Sequence, residues 1–270
     1  MNARRAAERG RVEFEDFCRL RAASYQPAGR DPIVRVLGEC PFEIDPDDTE
    51  VAPHLALDGF WESWVNLWLF RTVRPGWRCV DVGAHLGYYT LLLDKLIGET
   101  GHVIALEPNP DTQRRLATNC RLNGVRATLL PWAAGEQEGS ATLHCDRDRA
   151  GSGTLRARAA AVALPVQVRR VDDVVRPPIQ LLKVDAEGWD IPAILGAAGL
   201  LAASPGCLVL FEHCSDFFDS ADAERAALGR LLGMLPGSLR AIEGDGTARP
   251  VHPGEVLASP GRLWNLVIGG

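Results

Sequence analysis

The chain has 270 residues, 46% of them hydrophobic and 24% charged, and 29 basic against 35 acidic side chains leave a formal net charge of −6. Those fractions exclude collagen-like, coiled-coil and disordered chains, and the acidic balance lacks the basic footprint of a nucleic-acid binder. No run of eighteen apolar residues and no signal-peptide pattern occurs, so the expectation is a cytoplasmic protein that does not span a membrane.

In chain order, residues 1–75 show no repeated strand–helix rhythm. Val12, Phe14, Phe17 and Leu20 mark one face of a short helix, residues 33–44 hold enough β-branched side chains for a strand or two, and residues 59–73 read as a buried aromatic helix. This stretch is expected to be a mostly helical appendage. From Arg78 onward strands alternate with helices: strands at 79–82, 102–106, 127–130, 179–184 and 208–211, and helices at 88–97, 111–122, 191–203 and 221–235. Two closing strands, 238–242 and 263–268, have no helix between them. The pattern predicts an α/β fold, a Rossmann-like three-layer α/β/α sandwich with a mostly parallel seven-stranded sheet and an antiparallel last strand. Residues 76–270 would form that domain, with an insertion at 139–175 in which 142–144 and 166–168 are small strands flanking an Arg-rich loop. The seven cysteines are odd in number and contain no C-x-x-C pair, so they are expected to be buried thiols rather than a disulfide or zinc framework.

Open α/β sheets bind ligands at the carboxyl ends of their strands. The first strand runs into Val80-Asp81-Val82-Gly83-Ala84-His85-Leu86-Gly87-Tyr88-Tyr89-Thr90. Gly83 and Gly87 carry no Cβ and let backbone approach a ligand. His85 stands where a dinucleotide loop needs its second glycine, which counts against a nicotinamide cofactor and hence against an oxidoreductase. Asp81 adds a negative charge that suits a cationic ligand. Glu107 closes the second strand, where a carboxylate can accept both hydroxyls of a ribose. A ligand with a ribose, a positive centre and no pyrophosphate is S-adenosylmethionine.

Together, VDVGAHLGYYTLLL, ALEPNP, Ala133-Ala134-Gly135 and LLKVDAEGWDIPAILGA resemble the FkbM-type family of class I S-adenosylmethionine-dependent methyltransferases over residues 59–211. Trp61-Glu62 resembles a pair that these proteins carry before the glycine loop. The chain departs from the family pattern at His85, usually Asn, and at Asp190, usually Glu. The resemblance implies that Asp81, Gly83, Ala84, His85, Gly87 and Tyr88 shape the methionine end of the cofactor site, with Thr90 or a nearby backbone amide near the cofactor carboxylate. It implies Glu107, Pro108 and Asn109 at the ribose, Trp132 and Ala133 beside the adenine, and Asp185 at the junction of cofactor and acceptor. It also implies a sugar or natural-product hydroxyl as acceptor.

Methyl transfer is an in-line displacement that depends on positioning, and a hydroxyl acceptor needs a base beside it. His213 is the candidate whose ordinary pKa suits that task best, with Asp185, Glu187, Glu212 and His85 as further candidates; Glu187 could instead cap the following helix. Asp185, Glu212 and His213 could also hold Mg2+, a version not favoured because nothing in the spacing demands it. Trp61, Glu62, Trp64, Tyr88 and Trp189, together with the insertion, are expected to wall the acceptor pocket. Arg147, Arg149, Arg156 and Arg158 would greet an anionic acceptor or simply be solvated. The expected partner is a small-molecule acceptor, with no nucleic acid or membrane, and a homodimer is left open. Nitrogen or carboxyl methylation, or a non-catalytic cofactor-binding partner protein, stand as alternatives.

Overall fold

A computed structural model describes residues 2–146, 149–156, 162–235 and 237–269. Its centre is an eight-stranded sheet built from β1 (Arg78–Val82), β2 (His102–Leu106), β3 (Thr128–Leu130), β4 (Leu181–Val184), β5 (Leu208–His213), β6 (Arg240–Ile242), β7 (Ala248–Pro250) and β8 (Trp264–Ile268). The spatial order is β7-β6-β8-β5-β4-β1-β2-β3. The strands from β5 through β3 are mutually parallel, whereas β8 runs antiparallel to both β5 and β6. The sequence predicts seven strands; the eighth, β7, is the return arm of a hairpin with β6. That hairpin turns at Asp245-Gly246, where Gly246 adopts φ +77° and Asp245 Oδ1 accepts from the Thr247 amide at 2.9 Å.

Strand residues alternate between two cores. Val80, Val82, Leu182, Val184, Val209 and Phe211 face one side, where they pack on helices α5 (Asp190–Leu195) and α6 (Ala221–Met234). Cys79, Val103, Leu181, Leu208 and Leu210 face the other. That second core takes in helix α1 (Arg11–Arg19), helix α2 (Ser63–Thr72), helix α3 (Tyr88–Ile97) and a three-stranded antiparallel sheet built from Ser24–Tyr25, Ile33–Val36 and Cys40–Glu43. The N-terminal residues therefore share one continuous core with the sheet face they cover. Helix α4 (Pro110–Asn123) starts on an Asn109 cap, whose side chain accepts from the Asp111 amide, and stops at Gly124 in the left-handed region.

The helix expected over 191–203 is two short helices, Asp190–Leu195 and Ala198–Ala202. The break falls at Gly196, where a Cβ would lie 2.0 Å from the Gly135 carbonyl oxygen, so the glycine serves a close chain crossing. The insertion forms a separate four-stranded sheet: Gly139–Asp146 and Val162–Arg169 pair antiparallel, flanked by Ala133–Ala134 and Arg149–Thr154. Part of the expected Arg-rich loop is thus strand; Arg147 and Arg158 lie outside the described residues. All seven cysteines are buried, and none of them is in a disulfide. Among the described residues no helix is long and apolar enough to cross a membrane.

Candidate functional site

β1 and β4 lie side by side in register, with Val82 opposite Val184, so the loops that follow them meet. Gly83 permits the meeting. Its φ is +71°, and a Cβ there would sit 1.7 Å from the Asp185 carbonyl oxygen. A cavity opens beside this crossing, at the ends of β1, β2 and β4. Glu107 stands in it and accepts the His85 amide on Oε2 and the Asn109 amide on Oε1, both at 2.9 Å. Burial pushes the Glu107 carboxyl up to about 7 against the pull of those two amides. Around it the walls are Pro108, Trp132, Ala133, Leu143, Leu155 and Trp189, and the Trp189 indole nitrogen is buried without a hydrogen-bond partner.

The chemistry of this lining fits S-adenosylmethionine. A buried carboxylate with lone pairs to spare suits a ribose diol. Flat apolar walls suit a purine, and the orphaned indole N–H suits a purine ring nitrogen. The insertion helps to close this side. Gly153 and Leu155 line the cavity, and Thr154 Oγ1 donates to the Glu187 carbonyl oxygen at 2.7 Å. Both the insertion and Trp189, expected at the acceptor, therefore wall the first cavity.

A second, larger cavity shares Gly83, His85, Asp185 and Glu187 with the first. Trp61 and Glu62 line it from the N-terminal region, Ala84, Tyr88 and Tyr89 from the glycine loop and α3, and Lys183 and Glu212 from the sheet. Strand alternation explains the set. Lys183 and Glu212 fall on the same sheet face as Leu181, Leu208 and Leu210, the face that the N-terminal elements cover. The Tyr89 hydroxyl donates to Glu62 Oε2, and Asn265 Nδ2 reaches Glu62 Oε1 at 3.4 Å and Glu212 Oε1 at 3.3 Å. Lys183 Nζ lies 3.2 Å from Asp185 Oδ2, 3.6 Å from Asp81 Oδ1 and 4.4 Å from the Tyr89 ring centroid. Burial and the nearby Asp185 carboxylate push Glu62 up to about 7, and the same two causes hold Glu212 well above the usual carboxyl range. Burial opposes the charge on Lys183, yet Asp185, Asp81 and Glu62 together keep its ammonium above its ordinary value.

The backbone marks the same place. Among the described residues four non-glycine residues have left-handed φ: Leu37, Glu62, His85 and Glu187. Three of these line the cavities, and strain of that kind persists where surrounding structure enforces it. The His85 Nε2 is buried without a partner, and burial pulls the imidazole pKa below its usual value.

Several expected site residues stand elsewhere. His213 lines neither cavity. It alternates onto the Val209 and Phe211 face, where its Nε2 lies 2.8 Å from Glu224 Oε1 and its ring 5.3 Å from Phe218. Glu224 is itself buried, so this histidine belongs to the packing of α6 rather than to proton transfer at either cavity. Asp81 is fully buried beneath the loop, accepting the Thr90 hydroxyl at 2.6 Å and facing Lys183, so Asp81 and Thr90 brace the site from below. Gly87 serves packing, since a Cβ there would meet Leu116 Cδ1 at 2.5 Å. Trp64 donates its indole N–H to Asn265 Oδ1 at 2.6 Å and lines neither cavity. Asp185, Glu212 and His213 do not converge, and among the described residues no group of three or more His, Cys, Asp or Glu could hold a metal ion. Arg156 is engaged with Asp219 at 3.0 Å. Lys183, Tyr89 and Asn265 were not foreseen. The signal for Lys183 was present: it is one of two lysines in the chain and sits among apolar strand residues.

The profile of the family described as Methyltransferase FkbM domain matches residues 81–232, more than half of the chain. The chain belongs to the FkbM methyltransferase family. A curated relative, the 23S rRNA (uracil(1939)-C(5))-methyltransferase RlmD of Psychrobacter arcticus, is 32% identical over 92 residues, covering 30% of this chain and 17% of that protein. The match thus spans about a sixth of that relative's length. Among solved structures, a methyltransferase FkbM from Methylobacillus flagellatus KT is 17% identical with a TM-score of 0.46, over 77% of this chain and 53% of that one. A putative rRNA-methylase from Clostridium thermocellum is 14% identical with a TM-score of 0.47, over 76% and 92%. The sheet of this chain is of the Rossmann-like class that the family's name implies.

Proposed function

We propose that this FkbM methyltransferase acts on oxygen, methylating a hydroxyl of a sugar or natural-product small molecule. The observation that carries the reading is the junction. A cavity suited to the donor and a larger one rich in carboxylates open onto each other at Gly83, His85, Asp185 and Glu187. When bound, the cofactor supplies a methyl carbon attached to a positively charged sulfur. Glu107 would hold its ribose, Trp132, Ala133 and Trp189 its base, and Asp185 with Glu187 would place negative charge where the two cavities meet. Lys183 fixes the Asp185 carboxylate from behind, so that group can position an acceptor without swinging away. On this reading residues 1–75 supply part of the acceptor wall, and residues 76–270 are the catalytic domain with its insertion closing the donor side.

The relative named above methylates rRNA, which raises RNA as a rival acceptor. Glu50, Glu62, Asp185, Glu187 and Glu212 line the second cavity against Lys183 as its cation, and that balance disfavours phosphates there. It equally disfavours an anionic sugar. The test is calorimetry with S-adenosylmethionine, followed by transfer of labelled methyl to a panel of hydroxylated sugars and to rRNA. Label that enters a hydroxylated compound and survives alkali as an ether supports the reading; a methyl ester would be lost in alkali. Incorporation into rRNA with none into the panel overturns it.

A further inference from the structure

The second cavity holds two carboxylates that are tied to each other. Glu62 enters from the end of the N-terminal region on a left-handed backbone at φ +40°, and Glu212 enters from β5. Asn265 on β8 reaches both, its Nδ2 3.4 Å from Glu62 Oε1 and 3.3 Å from Glu212 Oε1. The amide cannot turn over, because its Oδ1 takes the Trp64 indole N–H at 2.6 Å, and an indole nitrogen only donates. Burial opposes ionising both carboxylates at once, and the negative neighbours oppose it further. Asp185 acts on both, and Asp190 and Glu187 act on Glu212, whereas Lys183, the Tyr89 hydroxyl and the Asn265 amide favour the charged form of Glu62. The His85 ring, with its partnerless Nε2, lines the same cavity.

We propose that Glu62 and Glu212 share one proton and form the pair that takes the proton of the acceptor hydroxyl. The inference rests on the oxygen-methylation reading. At rest the pair carries one proton and one negative charge. As the acceptor oxygen bonds to the methyl carbon and that carbon's bond to sulfur breaks, the hydroxyl proton passes to the ionised member. The pair is then neutral, the sulfur is left as an uncharged thioether, and the extra proton returns to solvent once the product departs. This assigns to a carboxylate dyad the work that the sequence suggested for His213.

The test uses the full chain and does not depend on knowing the acceptor. Infrared titration of the ligand-free protein should show a carboxyl that stays protonated through neutral pH. Either Glu62→Gln or Glu212→Gln should remove that upper step, leaving the remaining carboxyl to titrate about one pH unit lower or more. Affinity for S-adenosylmethionine should change by less than about threefold in both variants, while kcat with any hydroxyl the wild type methylates falls about 100-fold or more in each. An upper step that is absent in the wild type, or unmoved in either variant, overturns the pair, as does a variant that keeps kcat within about threefold. Failure of the wild type to bind S-adenosylmethionine would count against the methyltransferase reading instead, with the titration still judging the pair.

Discussion

The two cavities that meet at Gly83 are built in different ways. On the reading proposed above the first cavity is the donor side, and apart from the insertion strands it is made from one short run of chain at a time: a glycine loop, the end of β2, the segment after β3, the loop after β4. Away from the shared junction its polar work is done by Glu107 and the two backbone amides it accepts. The acceptor side is made from pieces far apart in sequence, with Glu62 and Trp61 from the N-terminal region, Lys183 and Glu212 from the sheet, and Asn265 from the last strand. Its polar work is done by charged side chains that hold one another. The first architecture is suited to a ligand that never changes. The second can be altered one side chain at a time, as an acceptor site must be when the substrate differs between relatives.

Replacing Gly83 strikes the hinge between the two and should have the largest effect. In Gly83→Ala the new methyl would lie against the Asp185 carbonyl, and the backbone would hold an alanine at φ +71°. Left-handed strain alone costs roughly 1–3 kcal/mol, and displacing the β4 loop adds to it. We expect loss of detectable S-adenosylmethionine binding together with a clear fall in melting temperature. A variant that binds the cofactor normally would show that the two loops are not held together at this crossing.

Glu107 tests the donor side by itself. Glu107→Gln keeps the shape but puts an amide nitrogen where one backbone N–H now finds an acceptor. Leaving such a donor unpaired costs about 1–3 kcal/mol, so affinity for S-adenosylmethionine should drop about 10- to 100-fold. The pH dependence has a definite sign. Burial raises Glu107, Glu62 and Asp190 to about 7 in the folded protein, so above the ordinary carboxyl range the folded state holds more protons than the unfolded one. Stability of the ligand-free protein is therefore fullest at acid pH, as far as these groups decide it, and declines as pH rises toward about 7. A cationic cofactor favours the ionised carboxylate, so its affinity should rise over the same interval. Melting curves and calorimetry across that interval check both trends, and Glu107→Gln should flatten the rise in affinity.

The same contrast decides what could be read from sequence. The strands and helices around the donor side follow from local pattern: α3 at 88–97 and β2 at 102–106 fall where apolar runs between glycine and proline signals put them. The donor residues follow because strand ends and the glycine loop are contiguous in the chain. On the acceptor side the decisive contacts are tertiary. The Trp64–Asn265 bond joins residues 201 apart, and no local pattern announces it. His213 misled for a different reason. Its chemistry suggested a base, but alternation along β5 sends residues 209, 211 and 213 to one face and 208, 210 and 212 to the other. Applied to the strand ends, that rule would have favoured Glu212 from the outset. Insertion strands were legible in part; that they close the donor rather than the acceptor cavity depends on how a separate sheet docks.

His213→Ala then separates packing from chemistry. Removing the imidazole leaves the buried Glu224 carboxylate without its 2.8 Å partner, at a cost of about 1–3 kcal/mol in unfolding free energy. Turnover at a temperature where the variant stays folded should remain within about threefold of wild type, with the shape of its pH profile unchanged. A profile that loses a limb would return His213 to the proton-transfer step and remove the reason for looking to Glu212.

The smallest effect is expected where the insertion meets solvent. Arg156 pairs with Asp219, whose side chain is 95% exposed, and lies over the Phe218 ring at 6.0 Å. An exposed pair of this kind contributes little, so Arg156→Ala should change stability by less than about 1 kcal/mol. The same substitution also asks whether the arginines of the insertion recognise an anionic acceptor. Arg156 is already committed to a carboxylate, and the cavity that would receive the acceptor is lined by Glu50, Glu62, Asp185, Glu187 and Glu212. The Michaelis constant for a hydroxyl acceptor should therefore stay where it is, for neutral and phosphorylated compounds alike. A selective rise for phosphorylated acceptors would mean that the insertion reaches across to the second cavity, and the division of labour between the two sides would have to be redrawn.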